Sequence, residues 1–303
     1  MESMAKYMYP QVVWQEGRKM LWNSIHRKAL KNRPEERVRL RVIEYLLMQG
    51  WSKHRITTEE AIGNLADTSM RTDIICYNQQ FKPRILIECK AEHIPLTAKT
   101  AQQVARYNQN VSAPFLLMTN GQKDLWYRTE GKKVVHLERQ PEILRSETIV
   151  PQYDFEAWHR RGFAGRKAVP PLRTWLAYLL PQIWHPGISE KEILFLSFNQ
   201  ELSDLNLNHY YSLWRISQNH RLALSTLATA YGGTRMVGIL SEEGQNKAVL
   251  EINMDLAFEE KAPNTMLYSH EGEKAIDIRG AIDFRQEPEL SALIKGVQDL
   301  ITI

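Results

Sequence analysis

Cysteine is almost absent from this 303-residue chain, with Cys76 and Cys89 the only two. Two thiols exclude the disulfide framework of a small secreted domain. Both fall in apolar, strand-like stretches, where cysteine behaves as a small buried hydrophobe of a reducing compartment. No apolar run approaches the ~18–20 residues that span a bilayer. The opening MESMAKYMYPQVVW carries no signal-peptide apolar core, so a cytoplasmic protein away from membranes is expected. The nine histidines and two cysteines show no paired-ligand spacing, which argues against zinc. No G-x-x-x-x-G-K-S/T loop appears, so ATP is not an expected partner. Gly232-Gly233, with no Lys-Ser/Thr pair behind it, reads as a turn.

A strong excess of one charge is also missing, the net charge being only +4. Its distribution is uneven. Residues 1–150 hold 24 Lys+Arg against 16 Asp+Glu, and residues 151–303 hold 15 against 19. The basic excess of the first half suits a surface that meets phosphates, and equally an ordinary solvated surface.

The most informative stretch is RTDIICYNQQFKPRILIECK, residues 71–90. It reads as two strands joined by a turn, NQQFKP. Strand side chains alternate, so Glu88 and Lys90 share one face and Cys89 takes the other. Charges ending an apolar strand are rarely placed there for packing alone. Asp73 opens the neighbouring strand and can meet them. Two carboxylates and a lysine on adjacent strands make a hard-metal site with a cation beside it. A structural ion-pair network is the competing reading.

Upstream, residues 17–24 and 26–32 look like a short hairpin carrying Arg27, Lys28 and Lys31, cations for a nucleic-acid backbone or for a soluble edge. Residues 33–49 form an amphipathic helix opened by Pro34, with Val38, Val42, Ile43, Leu46 and Leu47 as its buried stripe. Glu36 lies at the edge of that stripe, with Glu35 the substitute if the register slips by one. Residues 55–62 read as a strand and 63–70 as a loop. A second helix starts after Thr97, a plausible N-cap, and places Gln103 and Tyr107 on one face, with Lys99 and Arg106 close to it. Two more strands follow, 113–120 and 124–128, around Asn120-Gly121.

In order, residues 34–39 (PEERVR), 71–73 (RTD), 86–91 (LIECKA), 94–97 (IPLT), 103–108 (QVARYN) and 118–121 (MTNG) resemble one family. Asp73 followed by Glu88-Cys89-Lys90 is similar to the D…(D/E)xK signature of the PD-(D/E)xK nuclease superfamily. The six blocks are similar to stand-alone bacterial proteins related to the N-terminal nuclease domain of type I restriction enzyme R subunits, over roughly residues 10–140.

The resemblance implies a restriction-endonuclease-like α/β core, a mixed sheet flanked by helices, over residues 1–145. It implies a metal-dependent DNA endonuclease, related to restriction or phage defence. Asp73, Glu88, the Cys89 carbonyl and Glu36 would hold Mg²⁺ or Mn²⁺, and Lys90 would act as base or electrostatic stabiliser. Gln103, Tyr107, Arg71, Lys99 and Arg106 would position the strand, although each is also an ordinary solvated residue. The translocase of a full R subunit has no counterpart here, so a stand-alone nuclease is expected, with a homodimer as one possible assembly. The alternative is a nucleic-acid-binding protein of the same fold, weak or inactive in cleavage, that acts with a partner.

Residues 139–173 read as a linker, with prolines at 141, 151, 170 and 171 and a basic cluster at 159–167. Residues 174–184 form a short buried helix stopped near Pro181. From about 209 the chain is β-rich, with strand candidates at 210–217, 221–231, 235–241 and 248–258 and a closing helix at 289–301. Residues 146–303 are therefore expected to form an α+β domain whose role the residues leave open.

Overall fold

The computed structural model describes residues 1–61, 71–131, 133–144, 151–185, 192–198 and 205–301, without the side chains of Glu60, Ala61, Ala98, Lys99, Thr100 and Gln103. The loop expected at 63–70 lies outside the described residues. The chain divides into two compact units: Met1–Gln11 with Met20–Pro151, and Val12–Lys19 with Gln152–Ile303.

Three short strands open the chain, β1 (Val12–Gln15), β2 (Arg18–Asn23) and β3 (Lys28–Leu30). The expected hairpin is the antiparallel pair β2–β3, with Leu21 opposite Leu30. Helix α1 (Pro34–Met48) begins on its proline, where the missing N–H is harmless. Val38, Val42, Ile43 and Leu46 are buried as the periodicity predicts, while Leu47 is half-buried. Arg39 lies within that stripe, and the other side of α1 is not the polar face expected, because Arg37 and Arg41 are buried as well.

The first unit is built on a six-stranded sheet in the order β4 (Ile56–Ala61), β5 (Arg71–Tyr77), β6 (Pro83–Cys89), β7 (Phe115–Thr119), β8 (Asp124–Glu130) and β9 (Lys133–Leu137). Only β6–β7 is parallel, since that connection passes through helix α2 (Ala98–Val111). The sheet is mixed and flanked by helices, and β9 adds a strand the pattern did not suggest. Ile75, Leu86, Val104, Ala113, Leu116 and Met118 form a core where α2 meets the sheet. Each of these side chains larger than Ala113 contributes about 1.5–3 kcal/mol by leaving water. Ser112 ends α2 in the left-handed region at φ +60°. Asn108 fixes that end, its side chain accepting the Ala113 N–H at 2.8 Å and donating to the Ala113 carbonyl at 2.9 Å.

The second unit carries seven strands that pair in sequence order, all antiparallel. They are β10 (Glu192–Leu196), β11 (His209–Arg215), β12 (His220–Ala228), β13 (Thr234–Glu242), β14 (Gln245–Asn253), β15 (Thr265–Ser269) and β16 (Gly272–Ile276). Leu207, Tyr211, Leu227, Val237 and Ile239 lie in one buried cluster of this sheet.

Helices α3 (Phe155–Arg160), α4 (Pro170–Trp184), α5 (Met254–Phe258) and α6 (Leu290–Ile301) complete the unit. The stretch expected as a mobile linker is folded from residue 151 to 173, with Trp158, Arg161 and Phe163 buried. α4 runs past Pro181, which removes only the N–H that would serve the carbonyl of exposed Ala177. The candidate strand 248–258 ends at Asn253, whose side chain accepts the Leu256 N–H and caps α5. Among the described residues no helix is long and apolar enough to cross a membrane.

Candidate functional site

Asp73 lies near the start of β5 and Glu88 near the end of β6. Ile74 pairs with Ile87 and Ile75 with Leu86, so the same register carried one step outward sets Asp73 opposite Glu88. Residues opposite each other on paired strands share a face. Lys90, two beyond Glu88, gives its ammonium to Glu88 Oε1 at 2.7 Å. Its backbone N–H bonds the Thr119 carbonyl at 2.8 Å, which anchors it to the end of β7. Asp73 Oδ2 accepts the Cys89 N–H at 2.7 Å, tying the two strand ends together. The three residues expected from the sequence are thus neighbours at one end of the paired strands β5 and β6.

The register brings in a fourth acid that the sequence reading missed. Thr58 pairs with Ile74 and Glu60 with Thr72, so Glu59 falls opposite Asp73. Glu59 sits in the left-handed region at φ +56°, a conformation uncommon for a side-chain-bearing residue and frequent at functional sites. Glu59, Asp73 and Glu88 therefore form a row of carboxylates across β4, β5 and β6.

Arg39 of α1 holds the row. Its Nη2 is 2.8 Å from Asp73 Oδ1, and its Nη1 is 2.5 Å from Glu36 Oε1 and 3.3 Å from Glu59 Oε1. One guanidinium thus meets three carboxylates, and those acids keep its own pKa raised despite burial. Glu36 is the inward-facing glutamate and Glu35 is exposed. Glu36 Oε2 is buried with no hydrogen-bond partner among the described residues. A buried carboxylate oxygen without a donor is costly to maintain.

The acids are stressed electrostatically. Burial pushes the Glu88 carboxyl up to about 7, with Asp73 adding to the rise and the Lys90 hydrogen bond opposing it. Burial likewise raises Glu36, against the pull of Arg39 and with repulsion from Glu59 and Asp73. Lys28 of β3 also lowers Glu36, so one cation of the hairpin lies near the site. For Lys90, burial disfavours the charge, but the Glu88 hydrogen bond and the charges of Glu88 and Asp73 outweigh it and the pKa rises. The Cys89 thiol is buried and held protonated, its pKa well above the usual thiol range.

The remaining expected residues are less tightly gathered. Arg71 opens β5 and is exposed, and its side chain has no hydrogen-bond or ion-pair partner among the described residues. Arg106 is exposed on α2. Tyr107 is half-buried and packs on the core between α2 and the sheet. Lys99 and Gln103 lie on α2 by backbone, and their side chains are outside the described residues.

Arg41, two residues beyond Arg39 on α1, organises the loops behind the strands. It bonds Glu92 Oε1 at 2.5 Å and the carbonyls of Ala5, Lys6 and Gly121. Gly121 has φ +77°, and a Cβ there would lie 2.8 Å from Arg41 Nη1. That contact is why the Asn-Gly turn after β7 needs glycine.

The family model of the type I restriction enzyme R protein N terminus (HSDR_N) matches residues 34–141. Residues 34–141 are HSDR_N-like. The block spans α1 through the end of β9 and contains Glu36, Arg39, Glu59, Asp73, Glu88 and Lys90. The match links the HSDR_N-like block to restriction enzymes, and it ends before α3. No curated protein and no solved structure matches the chain.

The acids of the HSDR_N-like block offer hard oxygen donors suited to Mg²⁺ or Mn²⁺, and the orphaned Glu36 Oε2 fits such an ion. Among the described residues no three His, Cys, Asp or Glu groups are already drawn together as a ligand set. Here Arg39 and Lys90 hold the carboxylates instead.

Proposed function

We propose that the first unit has a restriction-endonuclease-like core and is a metal-dependent DNA endonuclease hydrolysing phosphodiester bonds. The observation that carries this reading is the juxtaposition of Asp73 and Glu88 on paired strand ends with Lys90 bonded to Glu88, inside a block similar to a restriction-enzyme domain.

Asp73, Glu88, the Cys89 carbonyl and Glu36 are the residues that would hold Mg²⁺ or Mn²⁺. Such an ion supplies Lewis acidity to a phosphoryl oxygen and acidifies water. Lys90, kept charged by Glu88, stands as an electrostatic stabiliser of the phosphate rather than a free base. The Cys89 N–H fixes the rotamer of Asp73, and Arg39 fixes Glu36 and Glu59 around it. Arg71, Arg106 and Tyr107, with Lys99 and Gln103, would position the strand.

A second reading is binding without cleavage. It draws on Arg39, a resident cation that already satisfies much of the negative charge of the acids.

One assay separates them: supercoiled, linear and single-stranded DNA with Mg²⁺, Mn²⁺ or EDTA, beside Asp73→Ala and Lys90→Ala. Metal-dependent cleavage lost in both variants is expected. Binding without cleavage on every substrate selects the second reading, and cleavage that survives Asp73→Ala places the chemistry elsewhere.

A further inference from the structure

The basic cluster at 159–167 is not absorbed by the site above, and it lies outside the HSDR_N-like block. Its fold is specific. The Gly162 carbonyl accepts the Ala228 N–H at 2.8 Å, and Gly165 N–H bonds Thr234 Oγ1 at 3.0 Å. Lys167 N–H bonds the Gly232 carbonyl at 2.9 Å. The segment is thereby clamped to the β12–β13 turn. A Cβ on Gly165 would lie 2.3 Å from the Gly233 carbonyl oxygen, so the two backbones are in direct contact.

This clamp presents three exposed side chains together. Arg166 and Lys167 flank Gly232, where an added Cβ would meet the Cγ atoms of both at 2.9 and 3.4 Å. Neither makes a side-chain ion pair among the described residues. Tyr231, the residue before Gly232, is 69% exposed, the most open of the large apolar side chains described. Tyr231 and Lys167 line one shallow cleft of about 270 Å³. The acids of that cleft are largely answered from within: Asp255 accepts the Thr234 N–H and lies 3.6 Å from Arg235. Glu259 is 2.8 Å from Lys261.

An exposed ring beside two cations that make no ion pair among the described residues matches the chemistry of a nucleic-acid strand, with a base face for the ring and phosphates for the cations. We infer that Tyr231, Arg166 and Lys167 form a second nucleic-acid contact, on the second unit, that stacks one unpaired base on Tyr231 and holds its flanking phosphates. The inference rests on the reading of DNA as the partner but not on cleavage.

The test uses the full-length protein in EDTA. Fluorescence anisotropy follows a labelled 20-nucleotide single strand and the same sequence as a duplex at several salt concentrations. Arg166→Ala/Lys167→Ala is expected to flatten the slope of log affinity against log salt on the single strand by about 1.4, from ~0.7 per phosphate contact. Tyr231→Ala is expected to weaken single-strand binding roughly 5- to 150-fold, and Tyr231→Phe to retain it, because stacking needs the ring and not the hydroxyl. A strand carrying 2-aminopurine should be quenched by the wild type and not by Tyr231→Ala. Melting curves matching the wild type confirm that the variants fold.

Wild-type affinity and salt slope in both variants overturn this contact while leaving the nuclease reading intact. Absent binding by the wild type overturns DNA as partner and this contact together. Lost binding in the patch variants, with no cleavage by the wild type, overturns hydrolysis and supports the contact.

Discussion

The two sheets treat buried charge in opposite ways. In the first unit, charges are concentrated where strands end: Glu59, Asp73 and Glu88 in a row, Lys90 beyond them and Arg39 across them. In the second unit, the polar residues buried within the sheet are mostly hydroxyl-bearing, such as Ser225 and Thr234, whose hydroxyls are bonded. Ser225 bonds the Tyr210 carbonyl at 2.8 Å. A hydroxyl is inexpensive to bury once bonded, whereas a carboxylate needs a cation, a proton or a metal. On the proposed function, the first sheet would carry the chemistry and the second would serve as scaffold, apart from its clamped surface turn.

The largest expected effect breaks or keeps that assignment. Asp73→Ala and Lys90→Ala should each reduce cleavage by on the order of 10²–10⁴-fold, the range that positioned catalytic groups supply. Strand-matched changes in the second sheet, such as Ser225→Ala, should leave the rate within a few-fold. A nicking time course reads both.

Next is Arg41→Ala. The side chain is 1% exposed and its removal leaves Glu92 without its cation and takes a donor from the carbonyls of Ala5, Lys6 and Gly121. Loss of about 3–5 kcal/mol is expected, measured by denaturant unfolding. Arg39→Gln should cost less, since Glu59 is partly open to water. It should also enlarge the rise in melting temperature on adding Mn²⁺, because the acids lose their resident cation.

The pH dependence sharpens the contrast. Glu88 is raised from its usual 4.5 to about 7, so the folded state holds the proton more tightly than the unfolded chain. Stability of the first unit should fall as pH rises from about 4.5 to 7 and then level, and Glu88→Gln should remove that slope. Lys19, in the second unit, is fully buried and lowered from 10.5 to about 7 by desolvation. It lies 3.1 Å from His209 Nδ1 and 3.2 Å from the Asn208 carbonyl. Its contribution is complete above pH 10.5 and is lost as pH falls through about 7, the opposite sign. Hydrogen exchange followed separately in the two units across pH 5–10 checks both slopes. The smallest expected change is Asn108→Ala, about 1–2 kcal/mol from the loss of two bonds to Ala113 at the end of α2.

Much of the first unit was legible in the sequence because its signals are local. The alternation in ILIECK fixes the faces of Glu88 and Lys90, and Pro34 with its apolar stripe fixes α1. Arg39 and Glu59 were not legible. Arg39 falls by periodicity within the apolar stripe of α1, but its partners are acids 20 and 34 residues downstream, which no local pattern names. Glu59 depends on strand register, which no local pattern sets. In the second unit the central strands were readable from their apolar runs. The 151–173 segment was not, since the contacts that fold it come from the β12–β13 turn some 65 residues away. Helix α5 was missed because a single Asn253 cap overrides a run that continues the strand pattern.

The strand order of the second sheet bears on how it assembles. Every strand from β10 to β16 pairs with its neighbours in sequence, whereas β6 and β7 must wait for α2 to form and cross over. Four of the meander's six connections are loops of two to five residues, which close at little entropic cost, so most of the meander can grow one hairpin at a time. The parallel pair is the slower event, and it sets the end of β6 on which Lys90 is anchored. Refolding followed at Trp126, in the first sheet, should therefore lag refolding followed at Trp214, in the second.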